Sequence, residues 1–486
     1  MPAFFHFCLI ALAATLVASR TLAESPPVAP TPTPPPSTTR EAMREIFAQL
    51  QILLPAAIQG ELGSAEREAQ FGRAFERMQQ RVDALPEHGE GLDPGARLFG
   101  RALSRDVRRA EDFFNRGRFD SAAFIVESLV DDCTACHIRR KAGDSLITQG
   151  FVDEAVLKDL DPLDRAAIAV ATRRFEEAME LYEQAFRMPG VVPEALLGPI
   201  VRYVTVATRV AREPARARKT IERFLEMPEL SASVRKDVEH WDEKLRELSP
   251  GDFAGTDLTR ARVAIESADR IARYPGDERA LIEYLLASSQ LHDLVALPQE
   301  SPAAAAEIYE LLGRAELGVA QNLWQSRADL YWETAIRLAP GSEAAKRAYA
   351  RLEEETRAGY TGSGGLRLPA DEVARLAELK ALSEGKRPTP AEGAELFAVH
   401  CALCHGRDGK GRGALSSQLM WNPADLTRIA ARRDGTFPES EVFSLIARRD
   451  PLGNHQSPEM PRWGKFWKDD SKIDALVAYL RTIQER

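Results

Sequence analysis

Two five-residue stretches constrain this chain of 486 residues more than any other feature. They are CTACH at 133–137 and CALCH at 401–405, and together they use four of the five cysteines. Two thiols one helical turn apart match the two vinyl groups of haem, and the histidine that follows reaches the iron as proximal ligand. At this composition chance yields about 8 × 10⁻⁴ such motifs per chain, so two are no coincidence. A four-thiolate zinc site would place its pairs roughly 15–20 residues apart, whereas residues 137–400 separate these. A thioredoxin-like redox pair needs a βαβ context, and no run of alternating β-branched residues supplies one. Two covalent haem c groups are therefore expected. Cys133, Cys136 and His137 would hold the first, and Cys401, Cys404 and His405 the second.

The fifth cysteine, Cys8, lies in an apolar leader. Residues Pro2 to Ser19 are apolar apart from His6, and a T-L-A stretch ends at Ala23. This reads as a secretory signal over residues 1–23, cut between Ala23 and Glu24. The first basic residue is Arg20, so an uncleaved membrane anchor stays open as the second reading, since about 18 apolar residues can just span a bilayer. In both readings the body is periplasmic. Covalent haem attachment outside the cytoplasm agrees with export.

The next stretch, 24–39, carries seven prolines in sixteen residues and is expected to be an extended linker. Further weak points are GYTGSGG at 359–365 and GKRPTP at 385–390. They divide the chain into a region at 40–143, a long middle at 144–357, a linker with a short helix at 358–387, and a last region at 388–486. Between the breaks Ala, Leu, Glu and Arg recur at three-to-four spacing, so the fold class is all-α. A net charge of −9 argues against nucleic acid as a partner, and 44% apolar with 28% charged residues is a globular balance.

The last region resembles a class I, mitochondrial-type cytochrome c. PAEGAELFAVHCALCHG leads a helix into the haem motif, NPADLT follows it, and SKIDALVAYLRTI closes the chain with Leu476, Val477, Tyr479 and Leu480 on one side. In that family the two helices cross, and the resemblance implies a close approach of Gly393 to Tyr479. It also implies a methionine on the far side of the haem. EMPRWG offers Met460, 55 residues after His405, with His455 as the rival. Thioether ligation favours ferrous iron and suits electron transfer. His400 is expected on the surface or at the haem rim. Arg407, Lys410, Arg412, Lys465 and Lys468 form either a basic docking face or an ordinary solvated surface.

The region at 40–143 contains four helical stretches, at about 39–54, 65–85, 94–115 and 120–140. Asp93 and Pro94 are start signals for the third, and Gly117 breaks the chain before the fourth. Phe124, Ile125, Val126, Leu129 and Val130 carry the fourth down to Cys133. A bundle whose last helix ends in CTACHIRR resembles the class II cytochromes c, of the cytochrome c′ and c556 type. In their low-spin members a methionine early in the first helix ligates the iron, and REAMREIF puts Met43 at that place. A core methionine is the competing reading. Without that ligand this haem would be five-coordinate and open to small gases. Met78 is a weaker candidate, and His88 sits in a glycine-rich loop.

The middle carries a recurring half-motif. RRFEEAMELYEQAFRMP (173–189) resembles the second helix of a tetratricopeptide repeat, with Phe175, Ala178, Tyr182, Ala185 and Pro189 in step, and 213–228 and 327–340 echo it. The closing prolines, Pro189, Pro228 and Pro340, are 39 and 112 residues apart, so the array is irregular. Stacked hairpins would either bind a protein partner or space the haems. His240, Trp241, Trp324 and Trp332 read as core. The whole is expected to be an exported dihaem c-type cytochrome passing single electrons between periplasmic redox partners. A dihaem peroxidase or sulfur-compound oxidase, and a haem-based sensory or assembly module, remain the alternatives.

Overall fold

The structure, a computed structural model, describes residues 37–83, 85, 96–138, 160–188, 192–255, 257–272, 277–319, 327–386, 389–420, 422–433, 435–447, 460–461, 463, 467 and 471–485. The leader, Asp93, Pro94, His88, Pro189, Trp324, His455, Lys465 and Lys468 lie outside the described residues. Among those described, strand pairing is confined to two residues a side, Thr361–Gly362 with Gly365–Leu366. The fold is all-α.

Four helices open it: α1 (Ser37–Ile58), α2 (Glu68–Val82), α3 (Ala96–Asn115) and α4 (Phe119–His137). Helix α1 starts inside the stretch read as extended to residue 39, because its last proline is Pro36 and Ser-Thr-Thr can turn. Gly117 adopts φ 68° and ends α3, as its freedom from a Cβ permits. The four close a ring, α1 against α2 and α4, and α3 against α2 and α4. Phe114 centres the core, 5.2 Å from Phe75 and 5.7 Å from Phe119 by ring centroids. Phe75 and Phe114, both buried, each contribute about 1.5–3 kcal/mol. Ala122, Ile125, Val126 and Leu129 face this core, whereas Phe124 is exposed because it falls out of phase with them.

The middle continues with α5 (Pro162–Ala171), α6 (Phe175–Ala185), α7 (Leu197–Thr205), α8 (Pro214–Leu225), α9 (Ala232–Glu247), α10 (Leu258–Ile271), α11 (Leu281–Val295), α12 (Pro302–Val319), α13 (Ala328–Leu338) and α14 (Glu343–Gly359). Asp161 caps α5 by accepting from Leu163 N at 2.7 Å, with Pro162 in the first turn. Helix α7 runs on into a wider π turn over Val206–Val210. Most helices pack on their successor, α10 to α14 without a break. Two cores result, one around Tyr182, Tyr203 and Trp241, the other around Tyr309, Tyr331 and Trp332. Trp241 and Trp332 are core, each indole N–H donating to a backbone carbonyl (Glu278, 2.7 Å; Glu310, 3.2 Å). Ala178, Tyr182 and Ala185 of the half-motif are buried along α6.

Helix α15 (Ala370–Ser383), in the stretch read as linker, buries Leu376, Leu379 and Leu382 in the second of these cores. It is also tied by charge. Glu333 of α13 accepts from Arg337 at 2.8 Å and from Arg375 of α15 at 2.7 Å.

The C-terminal part comprises α16 (Pro390–His400), α17 (Ala402–His405), α18 (Glu439–Ala447) and α19 (Ser471–Thr482). Helices α16 and α19 meet at Gly393, where a Cβ would stand 2.0 Å from Ala475 O and 2.7 Å from Tyr479 Cβ. The close approach that the resemblance implies is therefore present, and only glycine fits it. Phe397, Phe443, Ile473, Leu476 and Leu480 fill the core. This part touches the rest through Arg101 of α3, stacked 4.8 Å over the Phe443 ring, and through Arg337 of α13, 4.0 Å from Asp474 of α19. No described helix is long and apolar enough to cross a membrane.

Candidate functional site

The C-terminal motif is built by a helix with a strong start. Thr389 and Glu392 form a capping box, each bonding the other's backbone N–H (Thr389 N to Glu392 Oε2, 2.7 Å; Glu392 N to Thr389 Oγ1, 3.2 Å). Helix α16 then delivers Cys401 against the domain core, and a short turn adds Cys404 and His405. Gly406, at φ 79°, reverses the chain, which folds back so that Gly411 N donates to the His405 carbonyl at 2.7 Å. Residues 422–427 pass beside the histidine, and His405 Nδ1 donates to the Ala424 carbonyl at 3.1 Å. That bond fixes the ring and its tautomer and leaves Nε2 available. Burial, offset in part by the Ala424 carbonyl, holds the ring pKa below its ordinary value. Met460 packs, half-buried, on the same core as Cys401. His400 is exposed and lies edge-on to Trp463 and Trp467, at 5.1 and 5.3 Å.

The N-terminal motif closes α4. Cys133 packs on the bundle core, which Met43 of α1 also touches, while Ala135 and Cys136 face the core of the middle region. His137 repeats the arrangement of His405: its Nδ1 donates to a backbone carbonyl, that of Ala171, at 2.5 Å. Burial, then the charge of Arg173, lower the ring pKa to about 4, so the imidazole is neutral at physiological pH. Met78, the weaker candidate in this region, is buried inside the bundle core on α2.

None of the four cysteines is in a disulfide. Burial, then the neighbouring thiol, push Cys133 and Cys401 up to about 12. Among the described residues no group of three or more His, Cys, Asp or Glu side chains is placed to hold a metal ion.

A family model described as cytochrome c matches residues 390–484. Residues 390–484 are a cytochrome c domain. A segment of the chain is also similar to the cbb3-type cytochrome c oxidase subunit FixP of Azorhizobium caulinodans, 30% identical over 105 residues. That match spans 22% of this chain and 31% of the relative's own length. No solved structure matches the chain.

A cytochrome c domain implies covalent haem c, and the residues present fit it. Cys401 packs on an apolar core that Met460 shares, and His405 follows it in the same short turn. Val399, two residues before Cys401, and Leu403, inside the motif, are large apolar side chains exposed on the domain surface. Of the cytochrome c domain's basic residues, Arg407 and Arg412 are exposed, and Lys410 is ion-paired with Glu485 at 2.6 Å.

What sequence reasoning missed is the contribution of the middle region to the first motif. The Ala171 acceptor is a backbone carbonyl, which no residue type announces. Asp131 and Asp132, just before Cys133, are also clamped from the middle, Asp131 by Arg202 at 2.6 Å and Asp132 by Arg327.

Proposed function

We propose that this chain is an exported dihaem c-type cytochrome that passes single electrons between periplasmic redox proteins. One observation carries the reading of two haems. Each C-x-x-C-H histidine ties Nδ1 to a backbone carbonyl of a later segment, Ala171 for His137 and Ala424 for His405. Each motif also has its first cysteine on an apolar core that a methionine shares. A surface histidine needs neither.

In this reading Cys133 and Cys136 hold one haem, and Cys401 and Cys404 the other. His137 and His405 are the proximal ligands, Met460 the distal ligand of the second haem and Met43 that of the first. The haem, when bound, supplies the one-electron couple. The protein supplies what tunes it: a neutral imidazole held in one orientation, a thioether that favours the ferrous state, and apolar walls. The relative's printed name, an oxidase subunit, supports electron delivery to a redox protein. The leader at 1–23 supports a periplasmic site. The middle would space the two haem-bearing regions or receive a protein partner.

A pyridine haemochrome assay on the purified chain tests the reading. Two haems per chain are expected, and fewer would refute it. Reduced spectra taken with and without carbon monoxide should coincide, because methionine closes both sixth positions. A response at the second haem would reject Met460 as its ligand.

A further inference from the structure

We propose that the middle region completes the first haem site, with the turn at Ala171–Arg173 as its positioning element and Arg173 as the residue that raises the potential of that haem. The inference rests on covalent haem at Cys133 and Cys136.

Helix α5 ends in a specific way. Arg173 N donates to Val170 O at 3.0 Å and Arg174 N to Ala169 O at 2.8 Å. That pair of bonds closes a helix on a left-handed residue, a place ordinarily taken by glycine. Here it is taken by Arg173, at φ 64°. Glycine would adopt this backbone without strain, and strained residues concentrate at functional sites. The arginine has a use that glycine could not serve.

The same turn grips the ligand twice. Ala171 is the last residue of α5, so its carbonyl has no partner within the helix and accepts from His137 Nδ1. Arg173 Nη2 then donates to the His137 carbonyl at 3.3 Å. Between them Thr172 is buried, its hydroxyl bonded back to Ile168 O at 2.8 Å, which fixes the turn against α5. Two more arginines hold the end of α4. Arg202 pairs with Asp131 at 2.6 Å, and Arg327 bridges Asp132 to Asp106 of α3, the latter at 2.7 Å.

The second site is built differently at the corresponding atom. The His405 carbonyl accepts from the peptide N–H of Gly411, a neutral donor in the local loop. The first ligand thus has a fixed cation beside it where the second has a peptide. A positive charge next to an axial ligand disfavours the additional charge of ferric iron, and so raises the potential. The carbonyl, at the negative end of a helix, orients the ring and increases its basicity.

The experiment compares Arg173→Gly with Arg173→Lys in the full chain by spectroelectrochemical titration. Glycine suits the left-handed turn and keeps its bonds while removing the charge; lysine keeps the charge. In R173G one of the two Nernstian components should fall, on the order of a tenfold change in the ferric-to-ferrous ratio at fixed ambient potential, or about 59 mV for one electron. The other component should stay, and R173K should lie close to wild type. Unmoved components in an R173G chain that carries two haems overturn the inference, as does an equal fall in both. If R173G loses its haem, Arg173→Gln reads the same shift with a neutral polar side chain in place of the guanidinium. A wild-type chain with one haem would instead overturn the reading on which the inference stands.

Discussion

Replacing Gly393 with alanine sets two known effects against each other. In a helix interior Gly→Ala ordinarily stabilises by about 1 kcal/mol. Here the added methyl would stand 2.0 Å from the Ala475 carbonyl oxygen and 2.7 Å from Tyr479 Cβ. An unstrained carbon–oxygen contact needs roughly 3.3 Å, so α16 and α19 must separate by more than about 1 Å at their crossing. No rotamer relieves this, because the obstacle is backbone. The separation loosens Phe397, Leu476 and Leu480, all buried across the same contact. Overpacking of this kind costs about 3 kcal/mol at the upper end of its usual range, and the propensity gain offsets a third of that. A net loss of about 2 kcal/mol is expected, confined to the cytochrome c domain. Denaturant unfolding followed by haem absorbance checks it, with loss of Met460 ligation expected to precede global unfolding. A G393A chain as stable as wild type, or more so, would show that the helices adjust freely and refute the argument.

Three other outcomes are expected. Met460→Ala should abolish the weak red-edge absorbance of sulfur–iron ligation in the oxidised protein, and an unchanged band would place the ligand elsewhere. Met43→Ala should make the reduced first haem respond to carbon monoxide while the second does not; no response would return Met43 to the role of a core filler. The third concerns Glu316, buried in the middle region. Burial pushes its carboxyl up, but Arg209 at 2.8 Å, His292 and Ser288 bring it down to about 2. The folded value lies below the unfolded one, so its stabilisation is present above about pH 4.5 and is lost as pH falls towards 2, about 3 kcal/mol in all. Glu316→Gln should therefore be less stable than wild type at pH 7 by about 3 kcal/mol and differ little at pH 2; denaturation curves at the two values check this, and an equal loss at both would refute it.

Much of this architecture could be read from residues alone. Helical periodicity marked the elements that carry both motifs, Gly117 marked the turn into α4, and the family resemblance of the last region implied a crossing at Gly393 and Tyr479 that the structure contains. What stayed hidden shares a physical character. Charged residues are read as surface, yet Glu333 lies between Arg337 and Arg375 inside the fold, and Glu316 beside Arg209. Alternation rules see side chains, so the backbone carbonyls of Ala171 and Ala424 gave no signal. A left-handed helix end is sought at glycine, and Arg173 occupies one unannounced. The π turn at Val206–Val210 likewise has no compositional mark. Pairing over long sequence separations, as between Asp132 and Arg327, is decided only when the helices meet.

The grip on His137 has a practical consequence for dissecting the gene. The obvious place to cut is just after CTACHIRR, at residue 143, which would release a tidy four-helix fragment. That fragment would keep both thiols and the histidine but leave behind the Ala171 acceptor, Arg173, Arg202 and Arg327. Its properties would be those of an amputated site, with the imidazole free to turn and two aspartates stripped of their counterions. Whatever such a piece reported of potential or gas binding would describe the cut rather than the protein.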